Sequence, residues 1–453
     1  MNAIADNPAR RRRTSRGWPR LAWGVIVAAV AMLMFLQAAT VPDQPDAAVG
    51  PRPDVLITGR IAVAIDRVLA TDASSDAVQR SASTLAGLRQ QATTDPDRLA
   101  VIVLEAELDS PGAALARLEA LGPVTQGAAA DDRDALETLY RSGVDGLTVE
   151  QRAGLIERQG WFGRLALSHE LPSDDPQRRR VIGEAVRALA TVTAVAAGVG
   201  LGLLAGLVLL IIAIVGYATG RLRTHYRPVR QPHTAIFLET VALFLVGMIG
   251  LSLAAGQVHR ALGLPVAPLV PLLLMLVIFW PLARGLGVRR WRSGMGLERG
   301  RGLMREVAAG LVGYIAGLPI LAAGLGLTIL VIRWTGLSPE HPAQRELLDP
   351  EPWVAIGVVL LAAVWAPLVE ELIFRGAFYH HVRRRWSCLV AGLVVGFVFA
   401  AIHPQGIAGI PVLMSIALVL ALIREWRSSI VGSIAAHCLH NSMITLVLVM
   451  VVW

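Results

Sequence analysis

The chain has 453 residues, 54 % of them apolar and only 17 % charged, with a mean hydropathy of +0.56, which excludes an ordinary soluble enzyme and marks a membrane protein. All 42 basic residues are arginines, against 34 acids, but residues 42–175 hold 22 acids and 12 arginines while the rest holds 12 acids and 30 arginines. A basic excess confined to short loops beside apolar runs is positive charge kept on the cytoplasmic face, so no nucleic-acid partner is expected. The two cysteines, Cys388 and Cys438, lie in apolar stretches, so the acidic region has no disulfide framework.

Residues 1–20 form a basic, cytoplasmic N-terminus with six arginines, and residues 21–41 are apolar over a length that spans a bilayer. A cleaved signal peptide is disfavoured because its apolar core would be shorter. Residues 42–183 then read as an acidic, mostly helical extracytoplasmic domain, opening on a linker that holds Pro42, Pro45, Pro51 and Pro53. Ser110-Pro111 reads as an N-cap and first helical residue, and Thr148 with Gln151 as a capping box. The domain has one histidine, His169, and carboxylates expected along polar helix faces. A catalytic constellation is not evident there, and binding or regulation is the expected role, with a protein or peptide as the candidate ligand.

From residue 187 to 453, eight further apolar segments follow, at about 187–217, 234–255, 266–283, 307–332, 353–379, 387–402, 409–423 and 430–452. The fold class is therefore an all-α polytopic membrane protein of about nine transmembrane helices, one N-terminal plus an eight-helix core, with an α-rich soluble domain between the first and second. The loops at 218–233 and 284–305 carry four and seven arginines, and the loop at 333–352 carries four acids. This alternation puts the N-terminus in the cytoplasm and residues 42–183 outside; Arg178, Arg179 and Arg180 dissent. Gly198, Gly202 and Gly206 form two overlapping small-xxx-small steps for close helix packing. The segments at 387–402 and 409–423 are short for spans and could form a hairpin that does not cross fully.

Charged and polar residues inside a bilayer are costly, and here they cluster near the C-terminus. Glu370 and Glu371 lie in apolar sequence, about 18 Å up the helix from Arg383. Arg375, four residues after Glu371, shares its face. Adjacent helical residues differ by about 100°, so Glu370 is expected to face a different target. His403 ends the next segment, Phe399 precedes it by four, and His437 and Asn441 share one face of the last. A carboxylate, two imidazoles and an amide converging inside a membrane would suit water activation and oxyanion stabilisation. A structural polar network or a transporter's proton relay are the alternatives; His380, His381 and His440 read as packing. The concentration of ionisable groups in the last quarter counts against transport, which favours repeats in both halves. Neither His-Glu-x-x-His nor a Gly-x-Ser-Gly loop occurs, and Cys438 points away from its neighbour His437.

Glu370-Glu371-x-x-x-Arg375, then Phe399-x-x-x-His403, then His437-x-x-x-Asn441, resembles the three ordered motifs of the CAAX-protease and bacteriocin-processing (CPBP) family. That family includes type II CAAX prenyl endopeptidases and proteins resembling lysostaphin-resistance and bacteriocin-immunity membrane proteins. The resemblance covers about residues 353–453. It implies an integral-membrane endopeptidase with a helical core of about eight spans and an active site inside the membrane. By position, Glu370 with His403 would activate water and His437 with Asn441 would stabilise the oxyanion. Glu371 and Arg375 would support them, and Phe399 would shape the cavity. No cofactor is expected; zinc, if bound, would take Glu370, His403 and His437, but a metal-free water mechanism is favoured. The expected partners are membrane lipid and a peptide or protein substrate. The arginine-only, alanine-rich composition points to a bacterial plasma (inner) membrane, where processing of a membrane or exported peptide is more natural than CAAX trimming. A non-catalytic scaffold or bacteriocin-immunity protein is the alternative.

Overall fold

The computed structural model describes residues 18–39, 50–69, 75–121, 127–227, 235–264, 266–337, 356–357 and 359–452. The arginines before residue 17, the linker prolines Pro42 and Pro45, and the acidic loop from residue 338 lie outside the described residues. Every regular element among the described residues is helical. By internal contacts the chain divides into two compact units, one drawn from α1 (Trp18–Ala39) and Val199–Thr445, the other from Pro42–Gly198 with residues after Leu446.

The second unit is built on helices α2 (Pro53–Leu69), α3 (Ser75–Gln91), α4 (Asp95–Leu108), α5 (Pro111–Leu121), α6 (Ala128–Ser142), α7 (Val149–Gln159), α8 (Trp161–Leu167) and the start of α9 (Pro176–Ala218). Ser110 Oγ accepts from Ala113 N at 3.2 Å, and Thr148 with Gln151 forms the capping box. The core is centred on α4, where every residue from Leu99 to Ala106 is buried. Several carboxylates that the sequence pattern assigns to polar faces are buried instead, because arginines neutralise them. Asp97 pairs with Arg52, Glu105 with Arg89, and Asp132 with Arg158 and Gln159. Glu107 meets Arg67, Arg178 and His169, at 2.5, 2.5 and 3.2 Å.

Of the three dissenting arginines, Arg178 is buried in a structural role, whereas Arg179 and Arg180 are exposed. α9 is 43 residues long, so these arginines begin a helix more than ten residues before its strongly apolar part. Arg178 donates to Ser168 O and Glu107 within the second unit. Its charge is neutralised there and reports nothing about membrane sidedness.

Among the described residues, five helices are long and apolar enough to cross a membrane: Trp18–Gln37, Pro176–Ala218, α10 (Ala235–Leu262), α13 (Leu303–Thr335) and α16 (Gly406–Arg427). Shorter apolar helices are α11 (Leu269–Ala283), α15 (Cys388–Ala401) and the Val431–Val447 part of α17 (Val431–Val452). The short helix α12 (Val288–Met295) and the carboxylate-bearing α14 (361–382) complete the unit. The segment read as 409–423 is thus 22 residues long rather than about 15. It continues through Arg424 and Glu425, whose charges are buried against partners: Arg424 lies over the Tyr226 ring, and Glu425 binds Tyr379 and Arg383. The α9 glycines are used unequally. A Cβ on Gly206 would lie 2.3 Å from Ile315 O and one on Gly202 3.1 Å from Leu318, whereas Gly198 has nothing within 4 Å.

Candidate active site

α14 is irregular, and its irregularity follows from its sequence. Pro367 has no N–H to give and its ring crowds the preceding turn. The register widens to π over Leu361–Trp365, returns to α over Ala366–Glu370, and widens again over Glu371–Phe378. Such π segments often accompany functional sites. Glu370 and Glu371 sit at the second junction. Arg375 Nη1 lies 2.8 Å from Glu371 Oε1, and neither side chain is exposed. The same guanidinium donates to Ala417 O at 3.2 Å and lies 4.9 Å from the centre of the Phe399 ring. One arginine therefore ties α14 to α15 and α16.

The two glutamates do share a target, contrary to the expectation from their 100° offset. His437 lies between them, with Nδ1 3.1 Å from Glu371 Oε1 and Nε2 3.6 Å from Glu370 Oε2. Two differently directed carboxylates can meet one residue because an imidazole presents a nitrogen on either side. The pair at Nδ1 is buried, whereas the Glu370 side chain keeps 20 % of its exposure.

His403 reaches the same carboxylate from α15. Ser387 caps that helix, accepting from Val390 N at 3.3 Å, so it starts beyond Trp386 and sets His403 shallower than a start at Arg385 would. Pro404 discourages helix at His403, which follows the last turn. His403 Nδ1 donates to Phe399 O at 2.5 Å; a carbonyl can only accept, so Nδ1 carries a proton. Its Nε2 lies 3.9 Å from Glu370 Oε1. Phe399 stacks beside both imidazoles, 4.3 Å from His403 and 6.0 Å from His437 between ring centres.

Asn441, one turn beyond His437, is at the edge of this group. Its Nδ2 donates to Ala362 O at 2.8 Å, spending one of its two N–H groups on the backbone of α14. Glu370, Glu371, Arg375, Phe399, His403 and His437 are thus in mutual contact, and Asn441 joins through Ala362. The donor types of Glu370, His403 and His437 are ones zinc accepts. Among the described residues no group of three or more His, Cys, Asp or Glu side chains is placed to hold an ion.

Residues 352–443 match the family model for Type II CAAX prenyl endopeptidase Rce1-like proteins. This segment is an Rce1-like domain. It contains all seven residues of the three motifs and occupies about a fifth of the chain. No curated protein and no solved structure matches the chain. The Rce1-like match and the apolar helices among the described residues support a multi-pass membrane protein.

The Rce1-like domain also holds residues that the motifs do not mark. Tyr379 donates to Glu425 at 2.8 Å, and Arg383 binds the same carboxylate. His380 Nδ1 meets the Tyr226 hydroxyl at 3.0 Å, and His440 Nδ1 meets that of Tyr314 at 3.0 Å. His381 lies against Trp23. Glu425 was recognisable only as an isolated acid at the end of an apolar run, with no sequence signal for its partners 42 and 46 residues away. Pro367, three residues before Glu370, was visible but gives no indication of which carbonyl loses its donor.

Proposed function

We propose that the protein is an intramembrane endopeptidase that hydrolyses peptide bonds of membrane-associated proteins or peptides with water activated by Glu370 and His403. The observation that carries this reading is the convergence of His403 Nε2 and His437 Nε2 on one partly exposed carboxylate, each imidazole being held from behind at Nδ1. A water between Glu370 and His403 gives a proton to Glu370 as its oxygen bonds to the scissile carbonyl carbon. The carbonyl oxygen becomes an oxyanion, for which His437 and the second amide N–H of Asn441 are the donors. Glu371, itself held by Arg375, fixes the His437 ring at Nδ1 and leaves Nε2 turned toward Glu370. As the C–N bond breaks, the proton held by Glu370 passes to the leaving amine. The step consumes one water and needs neither metal nor cofactor.

The arginine-rich loops support a cytoplasmic N-terminus and an extracytoplasmic 42–183 domain. The arginine-only composition supports a bacterial inner membrane. The test is cleavage of a mixed library of membrane-segment peptides by the full chain in detergent, with and without a chelator. Cleavage that survives chelation is expected. Cleavage abolished by chelator and restored by zinc would replace the water mechanism, and no cleavage across a broad library would favour the scaffold or immunity reading.

A further inference from the structure

The Ala362–Asn441 contact has a cause in the chain itself. In the π register of Leu361–Trp365 a carbonyl takes the N–H five residues on, as Leu361 O takes that of Ala366. For Ala362 that position is Pro367, which has none. The ordinary α partner, Ala366 N, is the π partner of Leu361 and is spent there. A half-buried carbonyl without a donor is unfavourable, and Asn441 Nδ2 supplies one at 2.8 Å. Pro367 itself is buried, and Asn441 lies one helical turn past His437, whose Nε2 faces Glu370.

Resting on the endopeptidase reading, we propose that Pro367 is a positioning residue: by denying Ala362 O its backbone donor, it anchors the Asn441 amide and aims the remaining N–H at the oxyanion. An asparagine side chain has two free torsions, and a bond from one amide hydrogen to a fixed carbonyl removes that freedom before substrate arrives. The proline is thus tied to catalysis through an acceptor it exposes, although it touches no reacting atom. Misplacement of a catalytic group by about 1 Å can cost on the order of 100-fold in rate, so loss of the anchor has a kinetic signature.

The test is a double-mutant cycle in the full chain with Pro367→Ala, Asn441→Ala and the pair, read by thermal unfolding and by cleavage kinetics. Pro367→Ala returns an N–H to the helix and lets Ala362 O find a backbone partner. It is expected to leave the melting temperature unchanged or higher while kcat falls about 100-fold at constant KM. Asn441→Ala alone is expected to lower the melting temperature by roughly 2–4 °C, because it strips the carbonyl of its donor. In the Pro367→Ala background the same change should cost neither stability nor further activity. Additive losses of melting temperature would overturn the proposal whether or not the protein is a protease, since that readout needs no substrate. Full activity in Pro367→Ala would overturn it on the kinetic side. Wild-type chain without peptidase activity, combined with a coupled melting cycle, would sink the endopeptidase reading and the oxyanion role while leaving the Pro367–Asn441 anchor established.

Discussion

Arg375 shows how much of the site rests on one buried charge. It neutralises Glu371, covers Phe399 and ends on Ala417 O, with its side chain wholly buried. Replacing it by methionine keeps most of the volume but leaves Glu371 without its cation. Breaking a buried pair in this way costs about 3–5 kcal/mol, so Arg375→Met should melt well below wild type in a thermal-unfolding series, whereas Glu370→Gln, at a partly exposed position, should not. An Arg375→Met protein as stable as wild type would remove the ion pair from the site's support. The pairing of Glu371 with Arg375 was legible from their spacing of four, whereas the joint use of His403 and Glu370 was implied only by the resemblance to the CPBP motifs. The bridging position of His437 was not, because the pattern of one helix says nothing about a ring arriving from another.

At the level of helices, the apolar segments were readable from hydropathy, and their ends were less so. α16 runs past its apolar window because its terminal charges have buried partners, information that lies in α14 and the 219–227 loop rather than in α16. The π segments of α14 were invisible because helical periodicity assumes one register throughout. The glycine steps of α9 give a direct test of packing. At Gly206 a side chain would strike the backbone of α13 at Ile315, and at Gly198 it would meet nothing. Gly206→Val should therefore destabilise by about 1–3 kcal/mol, while Gly198→Ala should be neutral or stabilising by up to about 1 kcal/mol. Thermal unfolding of the two variants side by side checks this, and equal effects would contradict a Gly206-centred contact.

Over the whole molecule, a paired acidic unit and an apolar unit with the glutamate–histidine cluster should differ in their response to acid. Burial alone would push the Glu107 carboxyl up, but hydrogen bonds from His169, Arg178 and Arg67 outweigh it and hold the group at about 2. Because the folded value lies below the unfolded one, the stabilisation is complete above the ordinary glutamate range and is lost as pH falls toward about 2. It amounts to about 3 kcal/mol, and hydrogen exchange of α4 and α8 between pH 6 and pH 3 should show it shrinking in wild type and absent in Glu107→Gln. A pH response identical in both proteins would contradict this role for Glu107. The proposed catalysis would belong to the other unit, with one carboxylate as its central requirement. The most direct measurement compares peptide cleavage by wild type, Glu370→Gln and His403→Ala, all purified in detergent and matched by melting temperature. The glutamate–water mechanism predicts cleavage by wild type alone, with both variants folded and inactive. Cleavage retained by folded Glu370→Gln would contradict it.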